Sequence, residues 1–242
     1  MQVTIRLFAA LRELAASELV EDFEGDAVSL AELRTRLAER YPALRPHLER
    51  VAIAVNEEYA RSDAPPLRDG DRVALINPVA GGATPAGADR ETPSDKPPAV
   101  LVTGEPLDAR ALRDLVRTDA SGAVVLFEGV VRDHHEGRAV ERLEYEAYAE
   151  MAEREIARVI EEVRAEAVAD GHTLHRVAVH HRVGALAIGD PAIIAAVSAA
   201  HREEAFRAAA RLVDRVKETA PIWKREWGPN GAAWQDGVAP QP

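Results

Sequence analysis

Apolar and polar residues alternate from the start of the chain: Val3, Ile5 and Leu7 share one side and Thr4 and Arg6 the other, the period of a half-buried strand. A short segment over Ala9 to Ala16 follows, and Leu19 to Phe23 reads as a second strand. The period then lengthens. Leu30, Leu33 and Leu37 recur at helical spacing, Ser29 and Glu32 form a capping-box pair ahead of them, and Pro42 stops the run. Val51 to Val55 is a continuous apolar strand, and the turn Arg68-Asp69-Gly70-Asp71 leads into another at Val73 to Ile76. Strand, strand, helix, strand, strand within about 80 residues fits a ubiquitin-like β-grasp, a mixed sheet wrapped around one helix.

The pattern breaks after Asn77-Pro78-Val79-Ala80-Gly81-Gly82. Residues 83–98 hold Pro85, Pro93, Pro97 and Pro98 and no large apolar side chain, so they cannot offset the entropy of ordering and are expected to form a flexible linker. Periodicity resumes beyond it. Ala99 to Thr103 predicts a strand, Asp108 to Val116 a short helix and Gly122 to Val131 a strong strand. Leu143, Tyr145 and Ala147 alternate with Glu144, Glu146 and Tyr148, while Ile156, Val159, Ile160, Val163 and Ala167 line a long helix ending near Gly171. Strands at Arg176 to His181 and Ala192 to Ala199 precede a helix striped by Phe206, Ala209, Val213 and Val216, and Ile222 to Trp227 and a Trp234 segment close the chain. The expectation is an α+β protein: a β-grasp domain over 1–82, a linker over 83–98, and an α/β domain of mixed sheet over 99–242.

Composition narrows the chemistry. Of 242 residues, 47% are hydrophobic and 29% charged, as in an ordinary globular protein, and no apolar run approaches a membrane span. The N-terminus lacks a signal-peptide pattern, and the expectation is a cytoplasmic protein. A net charge of -11 argues against nonspecific nucleic-acid binding, so an anionic ligand needs a local cluster of cations. There is no cysteine, which removes disulfides, thiolate nucleophiles and thiolate metal sites together. Among the 30 basic residues only Lys96, Lys217 and Lys224 are lysine, and lysine can lose its proton and act as base or nucleophile where arginine cannot.

Leu7-Phe8-Ala9-Ala10-Leu11-Arg12-Glu13, Val55-Asn56, Leu67-Arg68-Asp69-Gly70-Asp71 and the closing Asn77 to Gly82 resemble the small, sulfur-carrying subunit of molybdopterin synthase. The rest of the chain resembles the large subunit of that enzyme over nearly its whole length. The stretches that carry this second likeness are Gly129-Val130-Val131-Arg132-Asp133-His134, Leu143-Glu144-Tyr145-Glu146-Ala147-Tyr148, His181-Arg182-Val183-Gly184, Ser198-Ala199-Ala200-His201-Arg202 and Lys217 to Glu226. The resemblance implies a sulfur carrier whose terminal glycine, here Gly82 after Gly81, is adenylated by a separate activating enzyme and converted to a thiocarboxylate. It also implies cyclic pyranopterin monophosphate as substrate, with Arg132, His201, Arg202, Lys217 and Lys224 at the pocket positions, and no cofactor.

The residues have their own physical case. Arg132 follows a strand and its planar fork suits a phosphate. His201 and Arg202 lie where a strand passes into a helix, whose free N–H groups favour an anion. Lys217 is expected on the apolar margin of its helix beside Val213 and Val216, partly desolvated, and Lys224 on the strand face opposite Trp223 and Arg225. His201 and Lys217 are sixteen residues apart on one helix, roughly 24 Å at 1.5 Å per residue, so one pterin cannot touch both within a chain. The expected pocket is shared across a homodimer, Arg132, Lys217 and Lys224 from one chain and His201 and Arg202 from its mate. The sequence leaves Lys217 two roles, general base or transient covalent partner. The histidine pairs His134-His135 and His180-His181 make a poor metal site, because neighbours on a strand face opposite ways. Gly82 is joined to Ala83, and an internal glycine has no carboxylate to adenylate, so the reading requires a processing protease behind Gly82. A ubiquitin-like modifier precursor and an uncleaved scaffold are the competing readings.

Overall fold

The computed structural model describes residues 1–61, 63–77 and 97–235, so the expected Gly81, Gly82 and most of the linker lie outside the described residues. The chain divides into two compact units, one within Met1–Pro85 and the other within Ala86–Gln235.

In the first unit β1 (Gln2–Leu7), α1 (Ala9–Leu14), β2 (Glu18–Asp22), α2 (Leu30–Arg40), α3 (Arg45–Leu48), β3 (Ala52–Val55), β4 (Glu58–Tyr59) and β5 (Arg72–Ile76) follow in order. The sheet runs β2-β1-β5-β3-β4, with β1 and β5 parallel and the other pairs antiparallel. This is the expected β-grasp, with α1, α3 and the short β4 added. The Ser29 hydroxyl accepts the Glu32 N–H at 3.2 Å while the Glu32 carboxylate accepts the Ser29 N–H at 2.9 Å, the reciprocal cap that starts α2. Leu33 and Leu37 then drop into a core with Val3, Ile5, Leu7, Val73 and Leu75. Each is fully buried, and truncating either to alanine should cost about 2–5 kcal/mol. Asn56 and Glu57 both take positive φ in the hairpin turn between β3 and β4. Asn56 tolerates that conformation and also fastens the turn, donating to Asp71 at 2.9 Å and accepting the Arg72 N–H at 3.1 Å.

The second unit begins with β6 (Val100–Thr103), α4 (Ala109–Val116), β7 (Ala123–Val130), β8 (His134–His135), β9 (Arg138–Ala139), β10 (Arg142–Ala147) and α5 (Ala149–Ala169). It continues with β11 (Leu174–Arg182), β12 (Gly184–Ala187), β13 (Pro191–Ala199), α6 (Arg202–Thr219), β14 (Ile222–Gly228) and β15 (Gly231–Trp234). One sheet has the order β6-β11-β13-β7, with β6 parallel to β11. Its central strands, β11 and β13, are buried on both faces: Val177, Val179, Ile193, Ala195 and Val197 pack under α5 and α6, while Ala178, Ile194 and Ala196 pack under α4. A second, antiparallel sheet has the order β12-β10-β14-β15. No described helix is long and apolar enough to cross a membrane.

Two local expectations change. Phe206 is 63% exposed and does not belong to the core stripe of α6. That stripe is built from Ala205, Ala208, Ala209, Leu212, Val213 and Val216, and Phe206, turned about 100° from Ala205, falls at its margin. Pro98 is held rather than free, since the buried His180 ring donates from Nε2 to its carbonyl at 2.8 Å.

Candidate active site

Lys217 stands in the last turn of α6, one residue past the buried Val216. It is exposed, so burial does not strip it of water as the sequence pattern implied, and its Nζ lies 5.5 Å from the centre of the Phe127 ring on β7. No carboxylate pairs with it among the described residues. The buried His181 on β11 is close enough to feel its charge. Desolvation pushes the His181 imidazole down to about 4, with Lys217 adding to the fall and a hydrogen bond opposing it. That bond runs from Nδ1 to the Arg182 carbonyl at 2.9 Å, so the neutral ring keeps its lone pair on Nε2.

Tyr145 on β10 meets the His181 ring edge to face, centroids 5.1 Å apart. In the antiparallel ladder Tyr145 stands opposite Lys224 on β14. Strand alternation puts Lys224 and Glu226 on one face and Trp223, Arg225 and Trp227 on the other, as expected for Lys224. Trp223 is buried, Arg225 lies over the rings of Trp227 and Trp234, and Arg142 lies over Trp227. On the first face Lys224 Nζ is 3.0 Å from Glu226 Oε1. Glu226 is buried and holds two further donors, His135 Nδ1 at 3.1 Å and Gln235 Nε2 at 2.9 Å. Burial first, and the Glu226 charge second, push the Tyr145 phenol up to about 12, so it stays a neutral donor.

Arg132 lies just past β7, an edge strand, where Val131 bonds back to Asp190. It is exposed and has no ion-pair or hydrogen-bond partner among the described residues. The chain then turns through β8 and β9, and His135 reaches Glu226, so the segment after Arg132 is tied to the strand that carries Lys224. His201 caps the other end of α6, its N–H 3.4 Å from Glu204 Oε2, and Arg202 begins the helix. They border a cavity of about 440 Å³ with Gly122, Ala200 and Glu203. Gly122 is obligatory there, because a Cβ would lie 2.2 Å from the Ala200 carbonyl oxygen.

Tyr145 and His181 thus lie between Lys217 and the Lys224–Glu226 pair, and Arg132 precedes the hairpin whose His135 reaches Glu226, whereas His201 and Arg202 stand at the far end of an 18-residue helix. Tyr145, His181 and Glu226 fall inside the stretches that resemble the large subunit, but none of them was expected to take part in the pocket. For Glu226 a signal existed: it follows Lys224 by two residues, the spacing of neighbours on one strand face. No group of three or more His, Asp or Glu among the described residues has the geometry to hold a metal ion.

Residues 102–219 match the MoaE protein family and residues 5–82 match the ThiS family. The molybdopterin synthase catalytic subunit of rice, Oryza sativa, is 42% identical over 130 residues, 54% of this chain and 65% of that protein, so the chain spans less than two thirds of it. The molybdopterin synthase catalytic subunit of Pyrococcus abyssi is 45% identical over 123 residues, 51% of this chain and 80% of that protein. Among solved structures, the crystal structure of molybdopterin synthase from Staphylococcus aureus is similar at 38% identity and a TM-score of 0.51, covering 55% of this chain and 94% of that one.

Proposed function

This chain belongs to the MoaE family of molybdopterin synthase catalytic subunits, with a ThiS-family domain fused ahead of it, and on that premise we propose that it is a cytoplasmic molybdopterin synthase carrying its own sulfur donor. The observation that supports this best is the junction: the ThiS-family match ends at residue 82, which is Gly82, and the MoaE-family match begins twenty residues later, at 102. A chain without cysteine needs another atom to carry sulfur, and a glycine carboxylate can do so once it is freed and activated.

In this reading a protease cuts behind Gly82, and a separate activating enzyme adenylates the new terminus and exchanges one oxygen for sulfur. The thiocarboxylate sulfur forms a bond to a side-chain carbon of cyclic pyranopterin monophosphate as that carbon's bond to oxygen breaks and the oxygen leaves with a proton, and water then cleaves the acyl–sulfur bond, restoring the Gly82 carboxylate and leaving the sulfur on the pterin. A second loaded carrier supplies the second sulfur of the dithiolene. Lys217 provides the amine: it is solvent-accessible, seated over Phe127 and without a carboxylate partner among the described residues. Lys224, held by Glu226, and Arg132, unpaired among the described residues, stabilise developing negative charge and the phosphate. His201 and Arg202 act on the substrate of a second copy of the chain, because they stand at the opposite end of α6 from Lys217.

The deciding experiment incubates the full chain with an activating enzyme, ATP and a sulfur source, then with cyclic pyranopterin monophosphate, following dithiolene product and intact mass together. A fragment ending at Gly82, shifted by exchange of oxygen for sulfur, is expected along with product. A chain that stays whole and makes product only when a separate carrier is added would defeat the self-supplied mechanism. Borohydride trapping decides the role of Lys217, since a transient imine leaves a stable adduct on that residue and a general base leaves none. Verified mixed dimers of His201→Ala and Lys217→Ala chains should regain activity that neither variant has alone; no recovery rules out the shared pocket.

A further inference from the structure

Glu226 is a buried carboxylate with three donors around it, and they come from three places: Lys224 on its own strand, Gln235 just past β15, and His135 on the β8–β9 hairpin. His135 Nδ1 sits within 3.2 Å of both carboxylate oxygens, 3.1 Å from the oxygen that Lys224 also approaches. Gln235 sits on the other oxygen at 2.9 Å. A carboxylate shared in this way gives each donor less than it would give one alone, because every N–H directed at it neutralises part of its field. The hairpin that brings His135 there is shaped for a sharp reversal, with Glu136 and Gly137 both at positive φ, and it follows directly on Arg132.

We infer that His135 is a positioning residue of the candidate site, acting through Glu226: it draws part of that carboxylate away from the Lys224 ammonium and pins the hairpin that sets Arg132 relative to β14. The inference deepens the proposed function and rests on it for the roles of Lys224 and Arg132, but the geometry on which it stands does not involve the substrate. Without His135, Glu226 turns more fully to Lys224, whose amine becomes less available, and Arg132 loses its fixed distance from Lys224. An asparagine at this position keeps an N–H donor on a δ atom, where the imidazole has Nδ1, and so preserves the contact, whereas alanine does not.

The composition of the chain makes a clean test possible, since Lys96, Lys217 and Lys224 are its only lysines. Competitive labelling of the full chain with a trace of an amine-acylating reagent, read by peptide mass spectrometry, gives the reactivity of Lys224 relative to Lys217 in one sample. H135A should lower that ratio about tenfold, the effect of one hydrogen bond to a charged group, and H135N should restore it. In an E226Q background the ratio should no longer respond to H135A, which places the effect in the carboxylate rather than in folding. An unchanged ratio in folded H135A, or an equal fall in H135N, overturns the inference. In the sulfur-transfer assay H135A should raise the KM for cyclic pyranopterin monophosphate more than it lowers kcat. If the labelling behaves as stated while no variant and no wild-type chain makes a dithiolene, the positioning role stands and the proposed reaction fails.

Discussion

The two flanks of α6 carry cations in opposite states. Arg207, Arg211 and Arg215, spaced by four, form one stripe, and each has a carboxylate: Glu203 at 3.0 Å, Glu166 at 3.2 Å and Glu162 at 2.8 Å respectively. The last two bind across to α5, where Glu162 also meets Arg158 and Arg158 meets the buried Glu155 at 3.0 Å. Lys217, two residues past Arg215 and so turned about 200° around the helix, has an aromatic ring beside it and no carboxylate among the described residues. Arg202 at the first position is likewise unpaired among them. A charge that is already neutralised holds elements together but has little left for an incoming anion. An unneutralised one adds nothing to folding and is available for chemistry. In a chain of net charge -11, leaving Lys217, Arg132 and Arg202 without a carboxylate partner among the described residues is a local exception to a plentiful supply of carboxylates.

The largest effect expected from this contrast is on the open flank. Lys217→Ala should reduce sulfur transfer by at least about a hundredfold, the scale of losing a general base, while leaving the denaturation midpoint where it was. Lys217→Arg should fail similarly, since it restores charge without a removable proton. Beneath that flank, the depressed His181 ties stability to pH. Its folded value of about 4 lies below the ordinary 6.5, so the unfolded chain binds the proton first as pH falls. The stabilisation is complete above pH 6.5 and is lost towards pH 4, about 3 kcal/mol in all, and His181→Gln should flatten that slope in denaturant titrations at stepped pH. On the paired flank Arg215→Ala should lower stability by about 1–2 kcal/mol, because its guanidinium is mostly buried against Glu162 and Glu166, with kcat unchanged. The smallest effect belongs to Arg207, more than half exposed: Arg207→Ala should change stability by less than about 0.5 kcal/mol, and less still in high salt. A loss of activity from Arg215→Ala, or of stability from Lys217→Ala, would break the division between the flanks.

Much of the fold was legible because it follows from short-range rules. The Ser29–Glu32 cap, the Leu33–Leu37 face and the alternation in β1 depend on neighbours within a few residues, and each appears where the pattern put it. The separation of the second unit into two sheets was not legible, since periodicity announces a strand but not its partner. β12 and the β8–β9 hairpin were missed for a related reason: they are two to four residues long, too short for any period to register. Phe206 misled because a large apolar residue at helical spacing looks like core, whereas close packing of α6 on its sheet is achieved by Ala205, Ala208 and Ala209. In the site, Lys217 and Lys224 stood out by residue type, and Arg132 was proposed from the resemblance to the large subunit. The groups that hold them were not. His135 and Glu226 are 91 residues apart, and only the folded chain places them together.

The bond from His180 to the Pro98 carbonyl has a mechanical side. The second unit starts at an anchored point: Pro98 is clamped by a buried ring, Ala99 accepts the Val179 N–H at 2.7 Å, and β6 then runs parallel to β11. Tension arriving along the axis of β6 from upstream loads several hydrogen bonds side by side, as a lap joint does, instead of peeling them one at a time. Such a joint lets the chain ahead of it be tugged, threaded or severed while the first strand of the second unit keeps its seat.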